Sequence, residues 1–222
     1  MDYKALQIHK FIDHTCLKPN ATVKEIERLC QEALDHQFYS VCINGLWVPL
    51  CNELLFDSSV QVCSVVGFPL GAMASRAKAL EAELAANQGA TEIDMVISIG
   101  ALLAADYESV RQDIRDVVEA VRGHAIVKVI LETGYLSDEQ KRVACQIAEE
   151  AGADYVKTST GFGPSGASVE DIRLMRAAVS VTTGVKASGG IRDYETAVQM
   201  ILAGASRLGT SSGTTIMDTL PR

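Results

Sequence analysis

Asp154-Tyr155-Val156-Lys157-Thr158-Ser159-Thr160-Gly161 reads as a short buried strand that ends on a lysine and runs into a Ser/Thr/Gly loop. A Gly/Pro/Ser loop over 161–167 then leads to a helix-periodic run over 169–179. The unit recurs at Gly184-Val185-Lys186-Ala187-Ser188-Gly189-Gly190, with a helical pattern over 194–202 behind it. Working outward, further strands are predicted over 8–13, 38–43, 61–66, 91–97, 126–131 and 206–208. Helices are predicted between them. Thr22 and Glu25 form a capping box ahead of Val23, Ile26, Leu29, Cys30, Ala33 and Leu34, and Ser137 to Gln140 opens another helix. A helix beginning at Ser75 takes Ala79, Leu80, Leu84 and Ala86 as its apolar positions, and another is expected over 107–121.

Eight strand-then-helix units at a spacing of about 28 residues imply right-handed βαβ crossovers and a parallel sheet. Eight such units predict an α/β protein with one closed (β/α)₈ barrel, a single domain over 1–222. An open doubly wound sheet is disfavoured, because no G-x-G-x-x-G follows the first strand.

The chain has 222 residues, 48% hydrophobic and 22% charged, enough for an ample core. Its net charge of −8 argues against nucleic acid or an anionic membrane surface as partner. A small phosphorylated ligand needs only local donors and stays open. Residues 1–7 carry no apolar signal core, and the longest apolar stretches fall short of the roughly 18 residues of a membrane span. A cytoplasmic protein is expected. Its six cysteines, at 16, 30, 42, 51, 63 and 145, form no Cys-x-x-Cys pair and read as buried thiols. The four histidines form no ligand cluster, so neither metal nor other cofactor is expected.

Two strand-end lysines, 157 and 186, suggest two ammonium groups sharing one pocket. Like charges held close in a dry site depress each other's pKa, and a neutral amine is a nucleophile. On that reading, removing the Lys186 charge leaves the fold at least as stable. The plainer alternative is that both lysines reach out to solvent. Asp94, in Glu92-Ile93-Asp94-Met95-Val96, is expected inside the barrel as a proton carrier or as an ion-pair partner of Lys128 or Lys186. The loops Ser188-Gly189-Gly190 and Gly209-Thr210-Ser211-Ser212-Gly213 each precede a helix and suggest an anion site. N-capping by Ser and Thr is the simpler account of either loop alone.

The chain resembles short bacterial deoxyribose-phosphate aldolases along nearly its whole length. The resemblance is carried by Phe11-Ile12-Asp13-His14-Thr15 with Lys18-Pro19, by Val65-Val66-Gly67-Phe68-Pro69-Leu70-Gly71, and by Glu92 to Val96. It continues through Val127 to Thr133, Val156 to Phe162, Val185 to Arg192, and Leu208 to Ser212. It implies a metal-free class I aldolase, a homo-oligomer acting on a small phosphorylated sugar. Lys157 would form the Schiff base, and Lys186 and Asp94 would relay protons. Gly189, Gly190, Ser211 and Ser212 would bind phosphate, while Thr158, Gly161, Lys128 and Cys42 would contact substrate. The carbanion is assigned to a break at C3–C4. Another lysine-dependent sugar-phosphate aldolase, a transaldolase, or a non-catalytic phosphate-binding barrel are the alternatives. The chain departs from the family at Ser98, where relatives often have Asn, and at Leu220-Pro221-Arg222, where some have a tyrosine.

Overall fold

A computed structural model describes residues 7–220. The expectations about an N-terminal signal and a terminal tyrosine fall largely on 1–6 and 221–222, outside the described residues. The strands are β1 (Ile12–Cys16), β2 (Ser40–Asn44), β3 (Gln61–Val66), β4 (Glu92–Val96), β5 (Ile126–Ile130), β6 (Tyr155–Lys157), β7 (Gly184–Ser188) and β8 (Arg207–Thr210). They pair in sequence order, all parallel, and β8 returns to β1, closing the barrel.

The helices are α1 (Val23–His36), α2 (Val48–Leu54), α3 (Ser75–Asn87), α4 (Ile99–Leu103), α5 (Tyr107–Ala120), α6 (Asp138–Glu150), α7 (Val169–Ala178), α8 (Tyr194–Ala203) and α9 (Gly213–Asp218). The capping boxes expected for α1 and α6 are both present. The first strand starts later than expected, because 8–11 close a 3₁₀ turn before the chain extends. The last strand runs on through Gly209 and Thr210, residues expected in the loop. The short α4 was not expected.

Strand residues alternate between two environments, as a period of two demands. Ile12, Ile93, Met95, Val127, Val129, Val156, Val185, Ala187 and Leu208 belong to the large apolar core shared with the helices. Their neighbours Asp13, Glu92, Asp94, Lys128, Lys157, Lys186 and Arg207 are also buried, and they meet one another through ion pairs. A small apolar cluster of Leu17, Cys42, Cys63 and Val65 stands beside them. Barrel interiors are usually filled by branched apolar residues. Much of this one is filled by charge.

Helix α3 corrects the expected apolar face. Lys78, Ala82 and Ala85 are buried, whereas Leu80 and Leu84 are 54% and 52% exposed. The inward position goes to Lys78 because its ammonium has partners there. It lies 2.6 Å from Asp113 on α5 and donates to the Val96 carbonyl, 2.9 Å away, at the end of β4.

Candidate active site

Lys157 and Lys186 occupy paired positions in β6 and β7, and Asp94 pairs with Lys128 between β4 and β5. All four side chains converge. Lys157 Nζ and Lys186 Nζ each donate to Asp94 Oδ2 at 2.7 Å, and Lys128 Nζ donates to Oδ1 at 2.9 Å. Lys186 also pairs with Asp13 Oδ2. Lys128 reaches Glu92 at 2.7 Å. Arg207 closes the network from below, 2.6 Å from Asp13 Oδ1 and 2.8 Å from Glu92 Oε1.

Burial and charge compete at each group. Burial alone would raise the Asp94 carboxyl, but the ammonium groups of Lys128, Lys157 and Lys186 together hold it well below the usual range. Burial would likewise raise Asp13, and Lys186, Arg207 and Lys128 hold it low. Burial would lower Lys186, yet Asp13 and Asp94 win and push it above the ordinary lysine value. Lys128 is raised in the same way: burial would lower it, and Asp94, together with neighbours that include Glu92 and Asp13, outweighs that penalty. Mutual depression of two ammonium groups was the expectation, and Lys186 corrects it. Carboxylate oxygens stand between the lysines, and they outweigh the like-charge repulsion.

A cavity of about 380 Å³ opens above this network, with Lys157 on its floor. Gly161, Gly189, Gly190, Ser211 and Ser212 line it, joined by Arg192, Lys18 and Arg28. Thr210 ties the two glycine loops together: its hydroxyl donates to the Ile191 carbonyl at 2.6 Å and accepts from Ser212 N–H at 2.9 Å. Helix α9 begins with no side-chain cap, which leaves its first N–H groups for a ligand. Helix α8 does not, because Asp193 already caps it through Thr196 N–H at 2.8 Å. Gly190 has φ +82° and open space where a side chain would project.

Three expected contacts fall elsewhere. Thr158 is buried, and its hydroxyl donates to the Ser188 carbonyl and accepts from Ser188 N–H, each at 3.0 Å. It clasps β6 to β7 instead of lining the cavity. Lys128 is buried under the cavity, held by Asp94 and Glu92. Cys42 is buried with its Sγ 3.9 Å from Asp94 Oδ2, beside the network and not in the cavity wall.

Sequence reading missed Glu92, Arg207 and Cys63. Their signal was the alternation itself: Glu92 lies two before Asp94, and Arg207 pairs with Lys186 in the β7–β8 register. It also missed Glu132, whose backbone is left-handed at φ 57° and whose carboxylate accepts from the Thr160 amide and hydroxyl. A non-glycine residue in that conformation carries strain that its contacts must offset. Here those contacts fix the loop through which Lys157 leaves its strand.

Cys42, Cys63 and Asp94 bring three donor atoms within 4.8 Å of one another. They do not suit a cation. Both Asp94 oxygens already face ammonium groups, and burial keeps the Cys63 thiol protonated, well above the usual range.

Residues 8–218 match the DeoC/LacD family of aldolases. The chain is 57% identical over 215 residues to the deoxyribose-phosphate aldolase of Caldanaerobacter subterraneus subsp. tengcongensis, covering 96% of this chain and 93% of that one. It is also 57% identical to that of Brevibacillus brevis over 212 residues, 96% of each. Among solved structures, the tetrameric deoxyribose phosphate aldolase of Aeropyrum pernix superposes with a TM-score of 0.88 at 35% identity, over 95% of this chain and 89% of that one. A buried lysine network under an open cavity, and likeness over nearly the full length, lead to one conclusion: the chain belongs to the DeoC/LacD family of aldolases.

Proposed function

We propose that this enzyme reversibly cleaves 2-deoxy-D-ribose 5-phosphate to D-glyceraldehyde 3-phosphate and acetaldehyde through a Schiff base on Lys157. One observation carries the assignment of the nucleophile: of the three lysines around Asp94, only Lys157 also lines the cavity. Neutral Lys157 adds to the C1 aldehyde, and loss of water gives the iminium. The two-carbon product fixes the bond that breaks as C2–C3, correcting the C3–C4 assignment. The 3-hydroxyl loses its proton, C3 becomes the aldehyde carbon of glyceraldehyde 3-phosphate, and the C2–C3 electrons flow into the iminium as an enamine. Protonation at C2 and hydrolysis release acetaldehyde and return the amine. Asp94 and Lys186 hold and move the protons, through a shared hydrogen bond of 2.7 Å.

The phosphate binds over Gly189, Gly190, Ser211 and Ser212, where backbone N–H groups, hydroxyls and Arg192 supply donors. The enzyme acts as a homo-oligomer in the cytoplasm. The exposed Phe56, Leu80 and Leu84 support an oligomer, as does the tetrameric relative from Aeropyrum pernix. Six free thiols support a reducing compartment. Among the described residues, no helix is long and apolar enough to cross a membrane. Incubation with deoxyribose 5-phosphate, borohydride reduction and peptide mapping tests the reading. A stable adduct is expected on Lys157, with loss of activity. An adduct on Lys128 or Lys186 instead would overturn it.

A further inference from the structure

We propose that Arg207, which touches neither the cavity nor substrate, is a positioning residue that sets the pH at which Lys157 forms its iminium. The inference rests on the aldolase reading above.

Arg207 is 2% exposed and rigidly held. Its guanidinium forks onto Glu92 and Asp13, and it stacks on Tyr39, with its central carbon 3.4 Å from the ring centroid. Tyr155 closes a second side at 5.6 Å. An arginine fixed in this way keeps its charge at every working pH.

The groups around Lys157 come from seven other strands. They are Asp13 on β1, Cys42 on β2, Cys63 on β3, Glu92 and Asp94 on β4, Lys128 on β5, Lys186 on β7 and Arg207 on β8. In the buried network three carboxylates thus face four cations, Lys157 included. The cavity above adds Lys18, Arg28, Arg192 and His14 against Glu25 and Glu32, so the open face brings no surplus of carboxylates. One cation goes short. Lys128 lies 2.7 Å from Glu92, 2.9 Å from Asp94 and 4.0 Å from Asp13. Lys186 has Asp13 and Asp94. Lys157 has a single carboxylate oxygen, and it shares that oxygen with Lys186. The shortfall therefore lands on Lys157, the lysine that faces the cavity. Arg207 creates it by engaging Asp13 and Glu92 with a charge that cannot be shed. Without that charge, the cations and carboxylates of the buried network would match, and the ammonium form of Lys157 would be better held.

A unit charge roughly 10 Å away, at an effective dielectric of about 20, moves a titration by about one pH unit. The test follows borohydride trapping of deoxyribose 5-phosphate on Lys157 against pH. Arg207→Met should move the rising limb up by about one unit, slowing trapping near pH 7 about tenfold. Arg207→Lys should restore most of the shift. Glu92→Gln removes a carboxylate and enlarges the cation excess, so its limb should move down. A purely structural role would cost amplitude or stability without opposite shifts. Limbs of Arg207→Met and Glu92→Gln that coincide with the parent, or move together, would overturn the inference. If Arg207→Met does not fold, the direction of the Glu92→Gln shift alone decides. Absence of any trapping on Lys157 in the parent would instead overturn the aldolase reading itself.

Discussion

Gly209 faces the stem of Lys186 so closely that a Cβ at 209 would stand 3.1 Å from Lys186 Cε and 2.9 Å from Ser188 Cβ. The glycine in β8 is the space through which Lys186 reaches Asp94. Gly209→Ala should displace that lysine from the oxygen it shares with Lys157. Overpacking of this kind costs about 1–3 kcal/mol. We expect a lower melting temperature together with at least a tenfold fall in kcat, since proton transfer by a positioned group is worth about 10²–10⁴-fold. Unchanged kcat would show that Lys186 tolerates the shift.

Lys186→Met should destabilise the fold at pH 7. A lysine whose folded pKa is raised contributes stability that is fully present below its unfolded value, about 10.4, and is lost as pH rises through the folded value. Removing it leaves Asp13 and Asp94 short of a buried partner, at a cost of about 3–5 kcal/mol. This reverses the expectation drawn from the sequence. Urea unfolding at pH 7 checks it, and a variant as stable as the parent would contradict the charge assignment.

The carboxylates set the acid limit. Asp94 and Asp13 have folded pKa values held below their unfolded ones, so their contribution is present above about pH 3.9 and fades as pH falls towards the folded values. Asp94→Asn should flatten this acid dependence and lower kcat by about a hundredfold or more. Circular dichroism against pH, in both proteins, gives the comparison.

Ser212→Asp should weaken use of deoxyribose 5-phosphate far more than use of unphosphorylated deoxyribose. The new carboxylate would stand beside the uncapped start of α9, where the phosphate is proposed to bind. Equal losses on both sugars would place the phosphate elsewhere.

Thr158→Val should cost stability and spare substrate affinity. It removes both hydrogen bonds of the clasp on Ser188 and leaves a buried N–H unpaired, at about 1–3 kcal/mol. A raised KM without loss of stability would return Thr158 to the cavity wall.

The barrel was legible because its outward strand residues are apolar and its strand–helix units repeat. Lys157, Lys186 and Asp94 were legible because charge inside such strands calls for a reason. What they do to one another was not. Whether Lys186 is lowered by Lys157 or raised by Asp13 depends on side-chain distances of a few ångströms, and β1 lies far from β7 in the sequence. Thr158 and Lys128 sit at motif positions that look like ligand contacts, and only the direction of each side chain shows otherwise. Leu80 and Leu84 misled because helix periodicity cannot foresee a lysine buried against Asp113.

Asp13 and Arg207 meet across 194 positions of the chain. Their bond joins the first strand to the last, so the charge network is finished only when β8 takes its place beside β1. A chain that stops short of β8 carries Lys157, Asp13 and Glu92 without the guanidinium that bridges the two carboxylates. Lys157 thus meets its finished surroundings only after the first and last strands of the barrel have joined.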